Sequence, residues 1–109
     1  SYSNIYERTL ARIPVLKQKQ YDTSKLESHL QTLNRQIKDY QAKSDELYAA
    51  LGASRDTACN DNESDFIIAL ADARTRLQAA REASQTIHKT LQDSVATDLR
   101  AAASWIKKN

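Results

Sequence analysis

The longest regular pattern in the chain is a heptad seam, in which apolar residues alternate at four- and three-residue steps. Its members are Leu26, Leu30, Leu33, Ile37, Tyr40, Leu47 and Leu51, with Ser44 as the polar exception. This spacing predicts a helix over residues 24–51 with one narrow apolar stripe. Such a stripe is stable only when another helix covers it.

A second seam follows later in the chain and predicts a helix over residues 65–107. It consists of Phe66, Leu70, Ala73, Leu77, Ala80, Ile87 and Leu91, with Ser84 as its polar member. After Leu91 the next apolar steps reach Val95 and Leu99, so a step of four replaces a step of three. This stutter predicts local unwinding, and a helix break at Asp93 and Ser94 is the alternative.

Alanine is concentrated on this second helix, partly on its seam. Small residues there allow two helix backbones to approach closely, while elsewhere alanine simply favours the helical state.

The stretch between the two seams reads as a loop over residues 52–64. Gly52 follows the first seam directly, where a left-handed helix cap requires glycine. The residues after it are polar and aperiodic. Ser24 with Glu27, and Asn60 with Glu63, match the capping-box spacing at the two helix starts. A loop of this length is unusual between paired helices, and long loops are often functional.

A shorter first helix is predicted over residues 4–21. Ile5, Tyr6, Leu10 and Ile13 are spaced as one helical face. Pro14 interrupts this face and predicts either a kink or a new helix start. Residues 4–21 then either extend the long arm or fold back as a third helix.

Folding the chain at the loop pairs residues whose numbers sum to about 117, and it leaves two arms of nearly equal length. We therefore expect one all-α domain over residues 1–109. Its fold is an antiparallel helical hairpin, similar to a coiled coil, elaborated to a three- or four-helix bundle or to a dimer. The seams alone leave some apolar residues uncovered, and one of these additions has to cover them.

Composition agrees with this fold and narrows the class of protein. The 109 residues include one Gly, one Pro and no Met, and the formal net charge is +2. The missing Met predicts that Ser1 is not the native start. No apolar run has the length of a membrane span, so a membrane protein is not expected. The lone Cys59 excludes an internal disulfide and favours a reducing compartment, which points toward the cytoplasm.

No motif in the chain carries chemistry, and we predict no catalytic, cofactor-binding or metal-binding residue. His29 and His88 flank the two seams and meet in the predicted pairing, but no third metal ligand lies nearby in the sequence. The basic residues near the N-terminus are scattered around their helix, so nucleic-acid binding is not expected. An enzyme is not expected either.

The sequence favours a protein-interaction or assembly module, such as a scaffold or adaptor, that docks a partner helix or forms a homodimer. The candidate contact residues are Ile5, Tyr6, Val15, Ile67, Ile68 and Trp105. An acidic tip of Asp56, Asp61, Glu63 and Asp65 is a further candidate. Phe66 stands where a calcium loop needs glycine, so helix capping is the preferred interpretation of these acids. The alternative function is an extracytoplasmic sensor or surface domain between membrane-proximal segments, because the hairpin brings its basic ends together.

Overall fold

The computed structural model describes residues 1–60 and 62–109, and every element in that part of the chain is helical. The elements are α1 (Tyr2–Gln18), α2 (Ser24–Ala58), α3 (Glu63–Thr90), a π-helical segment (Leu91–Val95) and α4 (Ala96–Lys108). The all-α prediction is confirmed. Asp61, one of the predicted acidic-tip residues, lies outside the described residues.

The chain divides into two compact units, which we describe separately. Unit 1 consists of residues 1–37 and 86–109, and unit 2 consists of residues 38–85. Helices α2 and α3 contribute residues to both units. The prediction of a single domain over residues 1–109 stays a prediction.

Unit 1 is a bundle in which α1 folds back against the other helices. The Tyr2 hydroxyl lies 3.0 Å from His88 Nε2, and the rings of Tyr21 and Trp105 lie 5.3 Å apart. The start of α1 therefore lies beside residue 88, and the residues just after its end lie beside residue 105. Helix α1 thus runs parallel to the C-terminal helices. The apolar core comprises Ile13, Leu16, Leu26, Leu30, Leu33, Ile37, Ile87, Val95 and Ala102. Residues 4–21 were predicted either to extend the long arm or to fold back as a third helix, and in the structure they fold back.

The chain reverses direction between α1 and α2 through a residue in the left-handed conformation, and this residue is not a glycine. Helix α1 runs through Pro14 and ends at Gln18, three residues before the predicted end. Gln20 has a φ of 64°. Its N–H bonds to the Lys17 carbonyl at 2.9 Å, and the Tyr21 N–H bonds to the Leu16 carbonyl at 3.1 Å. This is a Schellman motif with glutamine in the position where glycine is usual.

Helix α2 begins at Ser24 as predicted, but its cap differs from the predicted capping box. The Asp22 carboxylate accepts hydrogen bonds from the Ser24 hydroxyl at 2.7 Å and from the Ser24 N–H at 3.0 Å. The Thr23 hydroxyl donates to Glu27 Oε2 at 3.1 Å. The Ser24–Glu27 capping box is therefore wrong, since the two preceding residues cap the helix. These two hydrogen bonds lower the pKa of Asp22, and the bond from the Ser24 hydroxyl has the larger effect.

The predicted loop over residues 52–64 is wrong at both ends. Helix α2 continues through Gly52 to Ala58, and α3 already begins at Glu63. An interior glycine costs a helix about 1 kcal/mol relative to alanine, which a long helix tolerates. The Asn62 side chain accepts from the Asp65 N–H at 3.2 Å, so Asn62 replaces the predicted Asn60–Glu63 capping box.

This later turn shifts the pairing register away from the predicted one. Arg76 bonds to Glu46 at 2.9 Å, whereas the predicted register places residue 71 opposite Glu46. Helices α2 and α3 still form the expected antiparallel hairpin within unit 2.

The π-helical segment lies where the apolar steps change. A π turn holds one more residue than an α turn and rotates the following helix about its axis. In unit 1 this rotation buries Val95, Asp98 and Ala102, while Leu99 is only half-buried. The seam therefore continues through an acidic residue that the periodicity does not indicate.

Candidate interaction surface

The side chains of Asp98 and His29 form a hydrogen-bonded pair in unit 1. The Asp98 side chain is 7% exposed and the His29 side chain is 30% exposed, and His29 Nδ1 contacts Asp98 Oδ2. The two histidines that the sequence places opposite each other contact different side chains: His29 contacts Asp98, and His88 contacts Tyr2. Both imidazoles thus have structural partners.

The six predicted contact residues are spread over both units. Ile5, Tyr6, Val15 and Trp105 belong to unit 1, whereas Ile67 and Ile68 belong to unit 2. Val15 and Ile5 are exposed on α1, and Tyr6 is half-buried. Trp105 is half-buried against Tyr21, so its ring already has a packing partner. Ile5 and Val15 are ten residues apart on α1, and Trp105 lies on α4.

The predicted acidic tip behaves as a pair of helix ends. Asp56 is exposed in the last turn of α2, and Glu63 and Asp65 are exposed in the first turn of α3. Acidic side chains at a helix start favour the positive end of the helix dipole. No group of three metal-ligating side chains converges among the described residues. Cys59 is exposed and unpaired just after α2.

Small residues form the interior of unit 2. Its buried side chains are Ala50, Ser54, Ala73, Ala80 and Ala83. Close helix packing across alanine and serine excludes larger side chains from the contact line. The large apolar residues of the hairpin therefore lie beside that line and remain at least partly exposed.

Six of these large residues lie on one side of the hairpin, which we call the unit-2 apolar face. It consists of Tyr40, Leu47, Tyr48, Leu51, Leu70 and Leu77. A groove of about 220 Å³ runs along this side, with Tyr48 and Leu77 among its walls and Arg81 at its edge. Tyr48 is 71% exposed and Leu51 is 47% exposed. Leu51 and Leu70 belong to the same face because they lie four and seven residues from Leu47 and Leu77.

The opposite side of unit 2 carries charged side chains that form ion pairs with one another. Arg76 contacts Glu46 at 2.9 Å and Asp72 at 3.4 Å. A shallow depression there is lined by alanines of α2 and by these charged residues. The hairpin thus has a mainly charged side and an apolar side that no further described helix of unit 2 covers.

The heptad pattern identifies all of these apolar residues except Tyr48, but it predicts that they are buried. In unit 1 the seam is buried from Leu26 to Ile37, whereas in unit 2 Tyr40 and Leu47 are half-buried and Leu51 is exposed. The difference arises because three helices surround the seam in unit 1, while in unit 2 α3 alone packs on α2. The line of alanines and Ser54 beside the seam is the sequence signal for this rotated packing.

No protein-family model matches the sequence, and no curated protein or solved structure is significantly similar to it.

None of the helices in the described residues carries an apolar stretch long enough to cross a lipid bilayer.

Proposed function

We propose that this chain is a non-enzymatic assembly module that docks a helical partner on the unit-2 apolar face. The observation that carries the proposal is the unit-2 apolar face: a small-residue interior leaves Tyr48 and Leu51 exposed together on the same side of the hairpin. In unit 2 only α2 and α3 pack together, and the large apolar side chains of the face stay at least partly exposed. A further helix laid along the groove would supply the missing contacts.

Helix-in-groove docking matches the chemistry of this face. Leu47, Tyr48 and Leu51 lie within about one turn of each other on α2, and they give the hairpin an apolar surface of the kind on which an amphipathic helix docks. Tyr40 and Tyr48 supply aromatic rings, and Arg81 lies at the edge of the groove. Tyrosine and arginine are the residue types that contribute most to binding energy at protein interfaces.

Site-specific photo-crosslinking tests this function. A photoreactive amino acid replaces Tyr48 on the apolar face, and a matched control replaces Ile68, which is 67% exposed on the same unit. By helical spacing, Ile68 lies about 160° around α3 from Leu70, away from the face. We expect a covalent protein adduct of defined mass from position 48 and none from position 68. Equal crosslinking, or none, from both positions would refute a docking role for the face.

Polar substitution separates a docking surface from a core. Leu51→Gln is expected to lower the free energy of unfolding of the dilute protein by about 1 kcal/mol or less, because Leu51 is already 47% exposed. Leu33→Ala, at a fully buried position, is the positive control and should cost about 2–5 kcal/mol. If Leu51→Gln cost as much as Leu33→Ala, the apolar face would belong to the folding core.

A further inference from the structure

We infer that the occupant of the unit-2 apolar face is a second copy of the same chain, packed with both hairpin turns at the same end. The inference rests on the proposed function and specifies its partner. Three observations support it: the size of the face, the separation of charge between its two helices, and the position of its aromatic rings.

The size of the face suits a pair of hairpins. Each helix of unit 2 runs about 30 Å, and two helices packed about 9 Å apart present a face of about 600 Å². Two copies would then bury about 1,200 Å² in total, which is the lower limit for a stable, specific interface. A single added helix would cover only part of each face, whereas a second hairpin matches it fully.

Charge is unequally distributed between the two helices of the face. On α3, Arg81 lies at the groove, and Arg74 lies seven residues earlier on the same side of the helix. On α2, the flank beside Tyr48 carries Asp45, three residues earlier. Lys38, seven residues before Asp45, lies on the same flank of α2. The α3 side of the face is therefore basic, and the α2 side combines one acid, one base and tyrosine rings.

This asymmetry selects one of the two ways to relate identical hairpins by a two-fold axis. With both turns at the same end, α2 of one copy lies on α3 of the other. With the turns at opposite ends, α3 lies on α3 and the arginines of the two copies face each other. Like charges at an interface disfavour the second arrangement.

The same-end arrangement also brings matching residues to the same height. The Glu46–Arg76 contact fixes the levels of α2 and α3 within one hairpin. By this register Tyr48 is level with Arg74, and Tyr40 is level with Arg81. Across the dyad each guanidinium of one copy therefore meets a tyrosine ring of the other, with Asp45 between them, in cation–π and ionic contact.

Spin labels on the native Cys59 measure which ends meet. This cysteine is the only one in the chain, and it is exposed beside the hairpin turn. In the same-end dimer the two labels are separated by the width of the bundle, about 15–25 Å. In the opposite-end dimer the turns are about 40 Å apart, since Cys59 lies about 20 Å along the helix from the centre of the face. Double electron–electron resonance on the full chain distinguishes these distances.

Charge reversal tests the pairing across the dyad. Asp45→Arg alone and Arg74→Asp alone are each expected to raise the dimer dissociation constant about ten-fold in sedimentation equilibrium, because each creates a like-charge contact. The combined variant should restore dimerisation to within about three-fold of the parent chain. Ile68→Gln, away from the face, is the matched control and should leave the dissociation constant unchanged.

The outcomes separate this inference from the proposed function. Self-association with a short Cys59 distance and rescue by the combined variant would support it. A long distance, or single variants that dimerise more tightly, would overturn the same-end arrangement. A chain that remains monomeric up to about 1 mM would overturn the second copy as occupant. In that last case, a photo-crosslinked adduct with another protein at position 48 would still uphold the docking function.

Discussion

Removing His29 and removing Asp98 should lower the free energy of unfolding by different amounts. Asp98 is almost fully buried, whereas His29 keeps 30% of its side chain in contact with solvent. Removing the imidazole leaves a buried carboxylate without its partner. Removing the carboxylate leaves an imidazole that water can still reach. We therefore expect His29→Ala to destabilise the protein more than Asp98→Ala.

The magnitudes follow from this difference in exposure. Breaking a buried ion pair by removing one partner costs about 3–5 kcal/mol when the remaining charge stays dry. Because the partly open His29 side admits water, we expect about 2–3 kcal/mol for His29→Ala. Asp98→Ala should cost about 1 kcal/mol, mainly through the lost hydrogen bond. The double variant should be more stable than His29→Ala, since it contains no unpaired buried carboxylate.

Urea unfolding at pH 7, followed by far-ultraviolet circular dichroism at fixed protein concentration, measures all four free energies. Asp98→Asn is a useful control because it retains the shape of the side chain without its charge. Two results would refute the reasoning. In one, both single variants change the free energy of unfolding equally, and in the other their effects simply add in the double variant.

Three further predictions concern the turn between α1 and α2 and the interior of α2. Gln20→Gly should raise the free energy of unfolding by about 1 kcal/mol, because glycine adopts the positive φ of residue 20 without strain; an unchanged urea midpoint would contradict this. Gly52→Ala should raise it by about 0.5–1 kcal/mol, since a Cβ at residue 52 meets no atom within 4 Å; a loss of stability would show that the helix bends there. The lowered pKa of Asp22 means that its stabilising effect is complete above about pH 3.9 and is lost as the pH falls through the lowered value. The melting temperature of Asp22→Ala should therefore depend less on pH below about pH 4 than that of the parent chain, and parallel pH profiles would rule out this role.

The sequence predicts the helical class well because the seams repeat over many turns. Leu26, Leu30, Leu33 and Ile37 are buried as the heptad pattern indicates. Long periodic segments specify helix and apolar side together. The hairpin of α2 and α3 follows from the same two stripes, and so does the need for a third helix.

The helix ends are less predictable, because more than one residue satisfies each local rule. Gly52 suits a helix cap in isolation, but the backbone around it remains helical and the turn lies beyond Ala58. Gln20 takes the left-handed position that glycine usually occupies. These choices depend on tertiary packing, which local propensity does not report.

The candidate face was partly predictable from the same residues. Tyr48 and Leu51 stand out as apolar positions on α2, but a heptad pattern assigns Leu51 to a buried seam. Whether a seam faces its partner helix directly depends on the rotation of both helices. In unit 2 the small side chains at Ala50, Ser54 and Ala73 set that rotation.

The π-helical segment Leu91–Val95 determines which side of α4 faces the core of unit 1, and the residues of α4 do not determine this by themselves. Each residue added to or removed from a helix turns everything after it by about 100°. Deleting one residue there would leave every amino acid of α4 intact and yet exchange the neighbours of each. Asp98 would leave the core and lose His29, and Trp105 would turn away from Tyr21. The rotation of α4 about its own axis is thus set by the single π turn that precedes it.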